Sequence, residues 1–122
     1  MWPPRLTPSS RRPNPRHPSE RRAAWWYRLR GYRILDTNCW LDGAELDLVV
    51  RRGRRLVFCE VKSKSGVAFG DPLDMVDGFK VRQLRRAADG WLARHPESRG
   101  LEIRFDLIAD RAGKLEHVPN AF

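Results

Sequence analysis

From Glu45 to Ser63 the chain runs through two apolar stretches, each broken by isolated charges. Leu46-Asp47-Leu48-Val49-Val50 and Leu56-Val57-Phe58-Cys59-Glu60-Val61-Lys62 are rich in branched and aromatic residues, and Arg52 to Arg55, with Gly53, supplies the turn between them. The pattern predicts strands over 45–51 and 56–63. Upstream, Ala23, Trp26, Tyr27 and the stem of Arg30 recur at three- and four-residue spacing, which gives a helix one buried face. Ser19 is placed to cap this helix, Glu20 puts negative charge at its positive end, and Gly31 ends it in a left-handed turn. Tyr32 to Leu35 then reads as a short strand, followed by a turn-rich piece through Asp42-Gly43, with Trp40 in a loop.

Downstream, a loop with two glycines runs from Lys64 to Pro72. A long helix is predicted from Asp74 to about Arg94, with a stripe of Val81, Leu84, Ala88, Trp91 and Leu92. Leu101, Ile103, Phe105 and Leu107 alternate with polar neighbours, as in a strand with one buried face. Ala112-Gly113 turns the chain and 115–118 closes it. The predicted order is α-β-β-β-α-β-β, an α/β domain with a mixed central sheet flanked by helices. The 122 residues suffice for one domain with its own core, assigned to 19–122. Residues 1–18 hold six of the nine prolines and little apolar surface, so this segment is expected to be disordered. The same prolines forbid the amphipathic helix of a mitochondrial presequence.

Charge sharpens this picture. Of the net charge of +9, +8 lies in residues 1–33, where nine arginines face one acid, Glu20. Such asymmetry points to a polyanionic partner, nucleic acid before membrane, although a solvated extension is the plainer reading of the tail. No apolar stretch approaches the roughly 18 residues of a spanning helix. Cys39 and Cys59 form no CxxC pair or Cys/His cluster, which argues against zinc, and a disulfide between them has little support. Nothing at the N-terminus looks like a secretory signal, so a reducing, cytoplasmic location is expected.

The charges inside the strands carry the chemistry. Glu60 and Lys62 are two apart and share a face. Pairing Arg51 with Leu56 across the turn puts Asp47 opposite Glu60, with Cβ atoms roughly 5 Å apart. Two carboxylates so close repel when ionised, and burial adds to the cost. A divalent cation would compensate, and magnesium is commonly held by one or two carboxylates plus waters. A backbone carbonyl near Val61 is a candidate third ligand. Lys62 would then sit beside the reacting water or the phosphate charge. An internal ion pair of Lys62 with Asp47 or Glu60 fits the same residues and needs no chemistry.

Four motifs extend this set: RGYRILDTN (Arg30–Asn38), GAELDLVV (Gly43–Val50), LVFCEVKSKS (Leu56–Ser65) and GDPLDMVDGFKVRQL (Gly70–Leu84). In this order and spacing they resemble the PD-(D/E)xK, or restriction-endonuclease-like, nuclease superfamily. Within it the chain is similar to the YraN-like family of small, largely uncharacterised bacterial proteins, related in fold to archaeal Holliday junction resolvases. The resemblance covers about residues 19–108 and implies a restriction-endonuclease-like sheet. It implies that Asp47, Glu60 and Lys62 are catalytic. It also implies that Asp47 and Glu60, joined by Glu20 on the first helix, hold magnesium or manganese. Lys80 matches a lysine on the following helix. The competing readings are a dipole charge for Glu20 and a solvated helix face for Lys80. The chain departs from the family pattern at Ala44-Glu45, where Gly-Glu is usual, at Lys64, where arginine is usual, and in its proline-rich tail.

The function this implies is a magnesium-dependent nuclease that hydrolyses phosphodiester bonds in DNA, branched or damaged DNA included. The alternative is a non-catalytic nucleic-acid-binding module that retains the nuclease fold. Phosphate contacts are expected from Arg11, Arg12, Arg16, Arg21, Arg22, Arg28, Lys64 and Lys80. A homodimer is compatible with cutting two strands. Among the aromatics, Trp25 and Trp40 are candidates for stacking on bases, whereas Trp26 and Tyr27 fit the core.

Overall fold

The computed structural model describes Pro15, residues 17–64 and residues 72–122. Arg11, Arg12 and Arg16, nearly all of the proline-rich tail and most of the loop after Lys64 lie outside the described residues. Helix α1 (Pro18–Arg28) is followed by an antiparallel meander of β1 (Arg33–Leu41), β2 (Ala44–Arg52) and β3 (Arg55–Lys64). Helix α2 (Gly78–Ala93) then carries the chain over, so that β4 (Glu102–Arg111) lies parallel to β3, and β5 (Lys114–Val118) returns antiparallel. The sheet order is β1-β2-β3-β4-β5. This is the mixed α/β sheet with the order α-β-β-β-α-β-β expected from the sequence, and it is consistent with a restriction-endonuclease-like fold.

Each face of the sheet is closed by one helix. Leu46, Val49, Leu56 and Phe58 pack with Leu84, Ala88 and Trp91 of α2. Leu48, Val50, Val57 and Cys59 pack with Ala23, Ala24 and Tyr27 of α1. β2 and β3 lie between the two layers and are apolar on both sides, as interior strands must be. Cys39 and Cys59 are buried, unpaired thiols.

Several boundaries differ from the sequence reading. The segment expected to be turn-rich is strand as far as Leu41, so Trp40 lies on β1, exposed, and not in a loop. The turn itself is Asp42-Gly43, both at positive φ, the backbone that a two-residue hairpin requires. Helix α2 starts at Gly78, not Asp74: Pro72–Met75 forms a separate 3-10 turn, and the Asp77 carboxylate accepts the Lys80 N–H at 2.9 Å. Helix α1 starts at Pro18 and is capped by His17, not by Ser19, which is buried. The His17 ring accepts the Ser19 N–H at 3.4 Å, and Glu20 Oε1 accepts the His17 N–H at 3.3 Å.

A break in the alternation of β2 positions the site. Leu46 and Val49, three residues apart, face α2, whereas Leu48 and Val50 face α1. The reversal falls at Asp47. Across from it on β1, Asn38 adopts φ 48° and lies between the paired residues Thr37↔Leu48 and Cys39↔Leu46. On the other side, the β2–β3 ladder runs from Arg52↔Arg55 to Leu48↔Cys59, while β3 stays paired with β4 to Lys64↔Arg111. The sheet therefore opens between β2 and β3 beyond Leu48, and Asp47 stands in the opening.

Candidate metal centre

The hairpin register brings Asp47 and Glu60 together as the sequence count requires, but not as an ordinary ladder pair. In the opening, Asp47 Oδ2 accepts the Val61 N–H at 2.9 Å, so a side chain takes the place of a backbone acceptor. Asp47 and Glu60 are both buried, and their carboxyl groups interact directly. Burial first, and then the charge of Glu60, raise the Asp47 carboxyl well above the usual range, against the pull of the Val61 hydrogen bond. Burial likewise raises Glu60, while Lys80 and Lys62 oppose the rise.

The two lysines share one oxygen of Glu60. Lys62 Nζ lies 3.5 Å and Lys80 Nζ 3.7 Å from Oε2. The reading of Lys80 as a solvated face of its helix is thus corrected: it is half-buried and turned to the acid. Among the described residues, the other oxygen, Oε1, is buried without a hydrogen-bond partner. A buried carboxylate oxygen normally accepts at least one hydrogen bond, so this atom is the unmet valence of the site.

A second acidic cluster shares Asp47. Oxygens of Glu20, Glu45 and Asp47 lie within 4.8 Å of one another and could hold a metal ion. Glu20 reaches the site because it sits in the first turn of α1, where Asn38 Nδ2 donates to its Oε1 at 2.8 Å. The left-handed backbone of Asn38 is what turns this amide toward the helix. Glu20 thus sits in the first turn of α1, as the dipole reading requires, closes the cap at His17 and also faces Asp47 in the acidic cluster. A shallow cavity of about 250 Å³ opens beside these residues, lined by His17, Glu20, Asn38 and Glu45. Glu45 was missed from the sequence, although its spacing of two from Asp47 was visible.

The basic residues divide by environment. Arg21 and Arg28 are exposed on α1, with Arg28 over the Trp25 ring at 5.3 Å. Lys64 is exposed at the end of β3. Arg22 is also exposed but is tied to the buried Asp110, its Nε 2.9 Å from Oδ2.

The acid-acid-lysine geometry lies inside a segment shared with other proteins. Residues 19–109 match the model of the uncharacterised protein family UPF0102. The chain belongs to the UPF0102, or YraN-like, family. A UPF0102 protein of Frankia casuarinae is 44% identical over 97 residues, covering 75% of this chain and 81% of the relative. One of Beutenbergia cavernae is 41% identical over 104 residues, covering 81% and 87%. One of Geobacter sulfurreducens is 43% identical over 105 residues, covering 82% and 80%. The UPF0102 match spans Glu20, Glu45, Asp47, Glu60, Lys62 and Lys80, so every member of the cluster belongs to the family segment. Among the described residues, no helix is long and apolar enough to cross a membrane.

Proposed function

We propose that this UPF0102 protein is a divalent-cation-dependent nuclease that hydrolyses phosphodiester bonds in DNA, with magnesium or manganese as its cofactor. The observation that carries the reading is the unpartnered, buried Oε1 of Glu60 beside an Asp47 whose charge is opposed by its surroundings. A core built only for stability has no use for such a pair, because hydrophobic residues of similar volume would serve better. A hard cation supplies the missing partner, and the donor set, carboxylate oxygens throughout, suits magnesium and manganese.

Asp47 and Glu60 would hold the ion, with Glu20 and Glu45 extending the acidic wall. A bound ion contributes Lewis acidity toward phosphate and water. The protein does the rest. The Val61 N–H fixes the Asp47 carboxylate, and Lys62 and Lys80 fix that of Glu60. Lys62, at the open end of β3, would orient the attacking water and stabilise charge that develops on the phosphate. Arg21 and Arg28, on the exposed face of the helix that also carries Glu20, would meet the flanking backbone.

The test is calorimetric titration of magnesium into the protein, Asp47→Asn and Glu60→Gln, with cleavage of linear and branched DNA measured on the same samples. Magnesium binding that both substitutions abolish, together with loss of cleavage, supports the nuclease. DNA binding without magnesium binding or cleavage would leave a non-catalytic nucleic-acid-binding module with an inherited ion-pair network.

A further inference from the structure

The Arg51-Arg52-Gly53-Arg54-Arg55 turn joins β2 to β3 at the end of the hairpin away from the acidic cluster, and the proposed cleavage chemistry makes no use of it. Its arginines are placed against electrostatic sense. Arg52 lies directly opposite Arg55 in the β2–β3 ladder, and Arg51 opposite Arg33 in the β1–β2 ladder. Like charges facing each other across strands are destabilising. The structure does little to neutralise them. Arg55 pairs with Glu102, its Nε 2.9 Å from Oε1. Among the described residues, Arg51, Arg52 and Arg54 form no ion pair.

Those three are instead held by backbone carbonyls. Arg51 Nε donates to the Gly53 carbonyl at 2.8 Å, Arg52 Nη1 to Arg30 at 2.9 Å, and Arg54 Nη2 to Gly100 at 2.9 Å. Arg52 also lies over the Tyr32 ring at 4.7 Å. A carbonyl fixes a guanidinium without cancelling its charge. Ordering a long side chain is normally a cost of binding. Here that ordering is in place before any partner arrives, around an open recess of about 480 Å³ lined in part by Arg52, Arg54, Arg55 and Glu102.

We infer that this hairpin end is a preorganised phosphate-backbone site that holds duplex DNA at a distance from the acidic cluster. The inference rests on the DNA reading above and deepens it by locating a docking point within the folded domain, apart from the arginine-rich N-terminal segment. Arg55 is five residues from Glu60 along β3, about 16 Å at 3.3 Å per residue. That is close to half of the roughly 34 Å helical turn of a duplex. A duplex lying along the hairpin from the recess would therefore reach the carboxylates within half a turn of its length.

The test is fluorescence anisotropy with a labelled duplex of about 20 base pairs, in EDTA so that no cleavage intervenes, across a salt series. The proteins are wild type, Glu102→Gln and the double variant Arg52→Gln/Arg54→Gln, each with its fold checked by circular dichroism and melting. The double variant should weaken binding on the order of tenfold per arginine at 0.1 M salt and reduce the salt slope by about 2. Glu102→Gln, which releases Arg55, should tighten binding severalfold. A folded double variant with unchanged affinity and slope would overturn the hairpin inference while leaving the nuclease reading standing. A wild type that binds no duplex at low salt, or binds only acidic lipid vesicles, would overturn both.

Discussion

Take Asp47→Asn at pH 8 in EDTA. In the wild type, burial and the charge of Glu60 raise the Asp47 pKa. A carboxyl raised in the folded state stabilises the fold while protonated, below its ordinary value near ~3.9, and that contribution is lost as the pH climbs through the raised value. The metal-free protein should therefore weaken progressively from pH 4 toward pH 8. Asparagine cannot ionise. Its carbonyl can keep the 2.9 Å bond from the Val61 N–H, and its amide can donate to the orphaned Glu60 Oε1. Satisfying a buried acceptor is worth about 1–3 kcal/mol. Each pKa unit of relieved charging adds about 1.4 kcal/mol. A gain of about 2 kcal/mol is a conservative expectation, a rise of about 10 °C in Tm for a domain of this size. The gain should shrink toward pH 5, where the wild-type carboxyl carries its proton. Magnesium at ten times its Kd should stabilise the wild type by about 1.4 kcal/mol and leave the variant unmoved. Differential scanning calorimetry at pH 5 and pH 8, with EDTA and with magnesium, reads all four corners. An asparagine variant that melts below wild type in EDTA at pH 8, or equal magnesium shifts in both proteins, would refute the reasoning.

Three further outcomes follow from the same geometry. Lys62→Gln should retain magnesium binding by calorimetry while cleavage falls by at least about 100-fold, because the proposed mechanism gives the lysine the charge on the reacting phosphate and leaves the ion to the carboxylates. Burial raises the carboxyl of Asp106, but the hydrogen bonds from His117, the Asn120 N–H and Tyr27 outweigh it and hold the pKa below its usual range. Its contribution is therefore present above pH ~4 and lost as the pH falls below that, so urea melts should show the stability gap between wild type and Asp106→Asn closing in acid. Arg22→Gln should cost about 1–2 kcal/mol in the same assay at neutral pH, since it strips the charge partner from a buried Asp110 although Arg22 itself is partly solvated.

What could be read in advance was the part governed by short-range pattern. The turn around Gly53 set the register that brings Asp47 to Glu60, and the apolar stripe of α2 placed Leu84 and Trp91 in the core. Thr37-Asn38-Cys39-Trp40 misled because Asn favours turns, whereas here one left-handed residue is absorbed inside a strand as an irregularity. The start of α2 was set too early, at Asp74, because that residue is as competent a cap as Asp77, whose carboxylate in fact accepts the Lys80 N–H. Glu45 opens its strand with no local sign of a ligand, and its part in the cluster depends on where α1 docks. Lys80 was obscure for the same reason: a position on a helix does not say which strand end the helix crosses. Asp106 gathers donors from Tyr27, His117 and Asn120, and no local pattern announces such long-range company.

Glu45, Asp47, Glu60 and Lys62 all lie on one hairpin, and this has a kinetic consequence. Hairpins form in about 1–10 μs, whereas the helices that bury this one must close longer loops and dock afterwards. While the hairpin is still wet, its two carboxylates sit side by side at little cost, since water screens them. The penalty arises only when α1 brings Glu20 and α2 seals the site, and Lys80 offsets part of it. Divalent cations should therefore act late on the folding coordinate, slowing the unfolding limb of a chevron plot and leaving the refolding limb nearly still.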